Sequence, residues 1–261
     1  MEGGAVSQRT AVVMHHYENS DLDRENLDFF FNHGVNQHSD FYFNVVGGSE
    51  FDFPMLPNIQ VIESKNCDMD YGGISRVLKD HVIDEGYQAA IILNSTVRGP
   101  MCGDGADFWQ DRFLELLQDE VHLVGTAISV LHPTSPHAAD FHAIHGSAGV
   151  IPHVQTMAYG ISMHALKYLG EEGFYDQDFD SDRNKIICGY ELLMSTLLLR
   201  RGWNLSCLLP KYQGLDYRTL SVDPNPTSSG GDALFKDAYF GVSVLPSEGL
   251  FVKMRRGYAN I

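Results

Sequence analysis

The sequence has few cysteines and few basic residues, and it lacks a long hydrophobic run. Its four cysteines are widely spaced and form no C-x-x-C pair, which argues against a zinc ribbon or a disulfide framework. Only 18 lysines and arginines stand against 34 acidic residues, and the formal charge of -16 makes nucleic acid and anionic membranes unfavourable partners. No apolar run approaches the roughly 20 residues of a membrane-spanning helix, and no signal peptide is recognisable. We therefore expect a cytoplasmic protein with reduced thiols, or a soluble part of a longer protein.

The 261 residues suffice for one sizeable hydrophobic core, and strand and helix signals alternate along the first hundred of them. Periodicity and capping residues predict strands at 10–14, 41–46, 59–62 and 89–93, and helices at 21–33 and 74–84. This β-α-β-β-α-β order is typical of a mostly parallel sheet with helices on its faces. We predict an α/β fold, and we expect one domain over residues 1–261.

The second half is less regular. It is predicted to contain helices at 108–118, 154–169 and 183–201, strands at 121–131 and 205–209, and a loop rich in His, Pro and Ala after Leu131.

A polar cluster follows the predicted strand Ala89–Leu93. It consists of small polar side chains and a cation, namely Asn94, Ser95, Thr96 and Arg98. In open α/β sheets the ligand lies just beyond the carboxyl ends of the strands, so these residues are candidates for a binding site. An ordinary turn is the alternative, because Asn, Ser and Gly are common turn formers.

Two further segments suit a nucleotide. The predicted loop 66–73 lies between a strand and a helix, and Asp68 and Asp70 in it have the chemistry to accept hydrogen bonds from ribose or base, or to hold a cation. A turn with a helix cap is the alternative. Near the carboxyl terminus, Lys253, Arg255 and Arg256 are suitable clamps for a diphosphate, or else a solvated terminus.

Glu191 lies early in a predicted helix that is otherwise rich in Leu and Met. If it faces a cleft, partial burial raises its pKa and makes it a candidate general base. The alternative is a glutamate favoured near a helix start by the dipole.

Five histidines lie in or next to the loop after Leu131: His132, His137, His142, His145 and His153. Histidine is a common zinc ligand, but the spacing follows no H-E-x-x-H or H-x-H pattern. We favour a mobile surface or lid loop over a metal site.

The order of these pieces resembles that of nucleotide-sugar-dependent glycosyltransferases of GT-A fold, and within them a loose set related to rhamnan-synthesis and other cell-surface polysaccharide transferases. The segments that carry this resemblance cover most of residues 10–257 and are, in order, AVVMHHYE, ENLDFFFNHGV, KNCDMDYGG, IILNSTVRGP, PHVQTMAYGISMHAL, GYELLMSTLLLRRGWNLSCLL, KYQGLDYR and LPSEGLFVKMRRG. It implies a nucleotide-binding half at 1–100 and an acceptor-binding half at 101–261.

The resemblance also implies roles for single residues on the donor side. The nucleotide and its diphosphate would contact His15, Asp68, Asp70, Asn94, Ser95, Thr96, Arg98, Lys253 and Arg255, with Asp70 nearest the base or ribose. Asn94–Thr96 occupy the place where the family usually carries a metal-binding D-x-D. Hydroxyls are poor substitutes for carboxylates around Mn²⁺ or Mg²⁺, so metal dependence stays open.

On the acceptor side, the resemblance makes Glu191 the residue that deprotonates a glycan or other hydroxyl acceptor. The acceptor cleft would be bordered by His153, Gln155, Tyr212, Gln213 and Asp216. We expect an inverting single displacement from a UDP-, GDP- or dTDP-sugar, carrying a hexose, deoxyhexose or pentose, in polysaccharide biosynthesis. A retaining mechanism, a non-catalytic nucleotide- or carbohydrate-binding module and a His-dependent metal hydrolase are the alternatives.

Overall fold

The computed structural model describes residues 9–65, 68–103 and 108–256. Asn66 and Cys67, which belong to the predicted loop 66–73, lie outside the described residues. The described strands are β1 (Thr10–Tyr17), β2 (Ser39–Val46), β3 (Ile59–Ser64), β4 (Ala89–Asn94), β5 (Val97–Arg98), β6 (Val121–Gly125), β7 (Ile128–Leu131), β8 (Ile151–Val154), β9 (Ala158–Ser162), β10 (Asn204–Cys207) and β11 (Val252–Lys253). The described α-helices are α1 (Asp21–His33), α2 (Met69–His81), α3 (Asp111–Leu114), α4 (Pro136–His145), α5 (Met163–Glu171), α6 (Arg183–Ile186), α7 (Leu193–Arg200) and α8 (Pro246–Gly249).

The central sheet has seven strands in the order β10-β6-β9-β4-β1-β2-β3. All neighbouring pairs are parallel except those of β9, which runs antiparallel to both β4 and β6. The predicted α/β class with a mostly parallel sheet is therefore confirmed. None of the described helices combines the length and the apolarity that crossing a membrane requires.

The innermost strands are apolar along nearly their whole length because helices cover both faces of the sheet. Residues 11–14 of β1 and 90–93 of β4 are at most 1% exposed. Polar residues appear only where these strands end, at His15 and Asn94, and the two residues are paired in register. The hydrophobic pattern thus positions a polar pair at the carboxyl edge of the sheet.

The side of the sheet to which new strands are added changes at this polar pair. From β1 it proceeds through β2 to β3 on one side, and it then returns to place β4 on the other side of β1. In open α/β sheets, ligands bind in the crevice outside the carboxyl ends of the strands at such a switch point.

The predicted loop 66–73 is wrong over its described part, because α2 begins at Met69 rather than at residue 74. Asp68 precedes the helix in the left-handed region, with φ of 51°. Gly73 brings the helix close to the sheet, since a Cβ at this position would lie 2.2 Å from Nδ2 of Asn44 and 2.7 Å from Nδ1 of His15. The small and polar residues that predicted a loop form the first turns of a helix that packs closely against the sheet.

Three other predictions in the second half are corrected. The predicted helix 154–169 is the end of β8, then β9, then α5. The predicted strand 121–131 divides into β6 and β7, which belong to different sheets, and the predicted helix 108–118 is α-helical only over α3. Because β9 is buried between two neighbouring strands, it is apolar on both of its faces, and its residues matched a helical period without forming a helix.

The histidine-rich stretch is also not a lid loop, because it contains α4 and β8, and β8 pairs with β7 as a two-stranded ribbon. In contrast, the predicted helix 183–201 is confirmed in outline. Asp182 caps it by accepting hydrogen bonds from the N–H groups of Asn184 and Lys185. Its middle, Ile187–Leu192, is π-helical and joins α6 to α7.

Candidate active site

A cavity of about 320 Å³ lies between the β7–β8 ribbon, the π-helical segment and the end of the described chain. Four of the predicted site residues line it together: Glu191, His153, Gln155 and Lys253. Arg256, which the sequence placed in the basic tail, and Asp232, which sequence reasoning did not single out, also line it.

The cavity adjoins the carboxyl edge of the sheet. Met157, which lines it, accepts a hydrogen bond of 3.1 Å from the N–H of Asn94 at the end of β4. Met69 of the first turn of α2 also lines it. The cavity therefore opens beside the crevice that the switch in strand order creates.

Glu191 projects into the cavity from the π-helical segment. Such segments are rare and are frequent at functional sites, since the extra residue per turn redirects side chains. Gly189 lets the segment pack against the loop before α6, because a Cβ there would lie 2.3 Å from Cε1 of Phe179. This packing fixes the backbone that carries Glu191.

His153 is the nearest ionisable partner of Glu191. Its Nε2 lies 3.6 Å from Oε1 of Glu191, and the His153 side chain is only 5% exposed while that of Glu191 is 31% exposed. On the other side of the ring, Nδ1 of His153 lies 3.2 Å from the carbonyl oxygen of Ile151. The carbonyl orients the ring, and the ring faces the carboxylate.

The pKa of Glu191 is lowered, although we expected partial burial to raise it. Burial does act to raise the pKa, but the hydrogen bond and charge of His153, with the charges of Lys253 and Arg256, outweigh it. Glu191 is therefore ionised at neutral pH. It is ready to accept a proton, although as a weaker base than a glutamate of raised pKa.

Lys253 reaches the cavity from β11, which pairs antiparallel with β5 so that Lys253 stands opposite Val97. Burial lowers the pKa of Lys253, and the nearby Arg256 lowers it further, against the opposing charges of Glu191, Asp232 and Asp70. Within the described ranges, the ammonium group has no hydrogen bond or ion pair. A positive charge held this way is available to an anionic ligand.

Arg256 is fixed on the cavity wall by several contacts. Its Nη1 is ion-paired with Oδ2 of Asp232 and lies 3.4 Å from Oε1 of Gln155. Its guanidinium lies 4.7 Å from the centre of the Phe235 ring, and Gln155 in turn donates a 2.8 Å hydrogen bond to Ser129. Asp232 and Arg256 are 24 residues apart with no motif around them, which explains why the sequence did not reveal the pair.

On the donor side, Asp70, Asn94 and Thr96 form a connected polar group at the carboxyl edge. Nδ2 of Asn94 donates to Oδ2 of Asp70 over 3.0 Å, and Oγ1 of Thr96 donates to Oδ1 of Asn94 over 2.6 Å. Asp70 belongs to the first turn of α2, and its charge acts on His15 and Lys253. Of the predicted donor contacts, these three and Lys253 are the ones that the fold brings towards the cavity.

Three predicted donor residues have buried polar atoms that are engaged inside the protein. His15 is 4% exposed, bonds to Asn44, and has its pKa lowered by burial. The carboxylate of Asp68 accepts from the N–H groups of Ser181 and Phe179, and Oγ of Ser95 donates to the carbonyl of Tyr17. This geometry does not support direct ligand contacts and gives these residues a structural role instead.

The two predicted arginine clamps lie outside the cavity lining. Arg98 donates to Asn26 and is ion-paired with Glu25 of α1 over 3.0 Å. Arg255 is exposed and donates to Oγ of Ser20 over 3.3 Å.

The predicted far wall of the acceptor cleft is not part of this cavity. Tyr212 is buried and hydrogen-bonded to Asn225, and Gln213 donates to two backbone carbonyls. Asp216 is bound by Arg218, which is also ion-paired with Glu120 just before β6. Because β6 starts at the amino edge of the sheet, Asp216 lies at the opposite end from Glu191.

The side chains of Asn94–Thr96 do not fit a divalent cation of the kind that the fold family uses. A hard cation prefers several carboxylate ligands, whereas these amide and hydroxyl groups are bound to each other and to backbone. Among the residues that the structure describes, no group of three or more His, Cys, Asp or Glu is arranged to hold a metal ion. The histidines of α4 bond locally instead, His137 to Asn184 and His142 to Ser147.

Comparison with solved structures finds enzymes of similar fold. A mannosyltransferase from Pyrobaculum calidifontis, solved in complex with GDP-Man and Mn²⁺, is 12% identical over 77% of this chain and 54% of its own, with a TM-score of 0.46. A 4-diphosphocytidyl-2C-methyl-D-erythritol synthase from Anaerococcus prevotii is 9% identical over 82% of this chain and 94% of its own, with a TM-score of 0.44. A glycosyltransferase involved in glycosylating the major capsid of PBCV-1 is 13% identical over 96% of both chains, with a TM-score of 0.43.

The chain spans about half the length of the mannosyltransferase. No protein-family profile matches the sequence, and no curated protein is significantly similar to it. Two of the three structures are glycosyltransferases, the class that the sequence resembles.

Proposed function

We propose that this chain is a glycosyltransferase that moves a sugar from a nucleoside-diphosphate sugar to a hydroxyl acceptor by inverting single displacement. The observation that carries the proposal is one cavity holding an ionised Glu191, paired with His153, together with Lys253 and Arg256. This cavity adjoins the switch point where α/β sheets bind ligands. A cytoplasmic location, a single domain and a role in polysaccharide biosynthesis belong to the same proposal.

The reaction needs a base on the acceptor side and positive charge on the donor side. Glu191 takes the proton of the acceptor hydroxyl as its oxygen attacks the anomeric carbon, and the bond from that carbon to the diphosphate breaks. A positioned base of this kind contributes about 10²–10⁴-fold to the rate. Lys253 stabilises the charge that develops on the leaving diphosphate, and Arg256 adds a fixed second charge.

The donor nucleoside is placed along the carboxyl ends of β1 and β4, next to Asp70, Asn94 and Thr96. These side chains offer both acceptors and donors to the hydroxyls of a ribose or the edge of a base. The choice among UDP, GDP and dTDP, and of the sugar, depends on single hydroxyl contacts. Because the residues present do not fit a divalent cation, no step is assigned to Mn²⁺ or Mg²⁺.

The first experiment measures the melting temperature with UDP, GDP, dTDP and CMP and their common sugars, each with and without Mn²⁺. A ligand that binds only the folded state stabilises it by about 2.7 kcal/mol at 100 times its Kd. We expect one nucleotide to raise the melting temperature and Lys253→Met to abolish that rise. Lys167→Met, an exposed lysine of α5, is the matched control.

The second experiment measures turnover, including slow hydrolysis of the donor that has shown binding. Glu191→Gln should keep the nucleotide response and lose about 10²-fold or more of the turnover. No thermal response to any nucleotide at millimolar concentration refutes the proposed function. A response without turnover for any acceptor instead supports a non-catalytic binding module.

A further inference from the structure

We infer that His153 is a positioning residue for Glu191, and that its ring orients the carboxylate before an acceptor binds. The resemblance placed His153 at the border of the acceptor cleft. The geometry directs both of its ring nitrogens at other groups. The inference rests on the proposed function in that it assigns Glu191 as the base.

Nδ1 of His153 carries a proton. A backbone carbonyl only accepts hydrogen bonds, so the contact of 3.2 Å between Nδ1 and the oxygen of Ile151 requires a proton on Nδ1. A neutral His153 would then present the bare lone pair of Nε2 to the carboxylate of Glu191 at 3.6 Å. The contact is attractive when Nε2 also carries a proton, because the ring then faces the carboxylate with an N–H donor and a positive charge.

Charged groups on several elements surround the pair. Groups on every element around the pair set the local field: Lys253 of β11, Arg256 after it, Asp232 of the opposing loop, Arg183 of α6 and His137 of α4. Arg256 is compensated by Asp232, whereas Lys253 favours an anionic Glu191. His153 and Lys253 therefore both act to keep Glu191 anionic.

The contact between His153 and Glu191 has a consequence for the reaction. When the acceptor hydroxyl gives its proton to Glu191, its O–H bond breaks and an O–H bond to the carboxylate forms. The acceptor oxygen bonds to the anomeric carbon, and the diphosphate leaves with the electron pair of the broken C–O bond. His153 exchanges no proton in this step, so its effect is to orient the carboxylate and to set the pH at which Glu191 becomes available.

The test that needs no substrate is a carbon-13 NMR titration of the protein with labelled glutamate. The Glu191 carboxyl signal is identified by its loss in Glu191→Gln. In His153→Ala and His153→Asn we expect its titration midpoint to rise by about one unit or more, because an opposite charge has been removed. His142→Ala is the control, since His142 bonds to Ser147 and Gly149 away from the cavity and should leave the midpoint unchanged.

A midpoint that stays in place in both folded His153 variants overturns the inference. This outcome is distinct from failure of the proposed function, which appears as no nucleotide response and no turnover in the unmodified protein.

Kinetics give a second readout once a donor is known. The acid limb of kcat should move to higher pH in His153→Ala by the same amount as the NMR midpoint, and added imidazole should move it back. A fall in kcat with an unmoved acid limb and no imidazole rescue would show that His153 only supports the local structure.

Discussion

Replacing Asp68 should loosen the loop that packs against the segment carrying Glu191, the proposed base. Asp68 is 7% exposed, and its two carboxylate oxygens accept hydrogen bonds from the N–H of Ser181 at 2.7 Å and of Phe179 at 3.0 Å. A hydrogen bond to a charged group contributes about 1.5–3 kcal/mol. In Asp68→Asn one oxygen becomes an NH₂ group, so one of the two bonds is lost.

We therefore expect Asp68→Asn to lower the free energy of unfolding by about 1.5–3 kcal/mol. Asparagine tolerates the left-handed backbone at this position, so the change reports the hydrogen bond rather than backbone strain. Asp68→Ala should cost more, because it loses both bonds and places alanine at φ of 51°. For a chain of this size, about 2 kcal/mol lowers the melting temperature by about 4–8 °C.

The assay is urea unfolding at pH 7.5, with thermal melting as a check. Asp178→Asn is the matched control, because that exposed aspartate accepts only a local bond from the N–H of Asp180. Equal stability of the Asp68 and Asp178 variants would refute the reasoning. Phe179 packs against Gly189 of the π-helical segment, which also carries Glu191. Turnover should therefore fall in Asp68→Asn more than nucleotide binding does.

Three further outcomes follow from buried groups. Gly189→Ala should destabilise the fold by about 1–3 kcal/mol, since its new methyl meets the Phe179 ring, and adding Phe179→Leu should restore part of the loss in a urea unfolding series. Burial lowers the pKa of His15 and of His16 below 6.5, so the unfolded chain binds more protons than the folded chain below that pH. Each histidine should then lower the free energy of unfolding by up to about 1.4 kcal/mol for each pH unit of acidification. Urea unfolding curves that agree at pH 7.5 and 5.5 would contradict this. Burial also disfavours the charged form of Lys253, so Lys253→Met should unfold at a higher urea concentration than the unmodified protein. The same variant should lose its thermal response to nucleotides. A lower urea midpoint would count against this account.

The first half of the fold was predictable because its signals are local. Short apolar runs such as Ala89–Leu93 are typical of strands in a sheet that is covered on both faces. Gly34 and Gly47 follow the last residues of α1 and β2, where the sequence predicted that these elements end. The pairing of His15 with Asn94 follows from the same rule, since parallel neighbours end at the same edge.

The second half depends on partners distant in sequence. β9 is a strand because β4 and β6 flank it on either side, and its own residues fit a helix equally well. The contact of His153 with Glu191 joins residues 38 positions apart, and that of Asp68 with Ser181 joins residues 113 apart. Glu191 was a candidate base from its place in the sequence and from the resemblance, whereas the direction of its pKa shift depends on His153, Lys253 and Arg256, which only the fold brings near it.

The direction in which Glu191 projects depends on the number of residues in the π-helical segment. A π turn holds one residue more than an α turn, so removing any single residue from Ile187–Leu192 would let the helix continue in α form from Arg183 to Arg200. The helices on either side would keep their orientation, because a π turn takes up its extra residue without rotating its flanks. The side chains inside the segment would shift in phase, so Glu191 would no longer project into the cavity as it does now. The number of residues in this segment is thus part of the site.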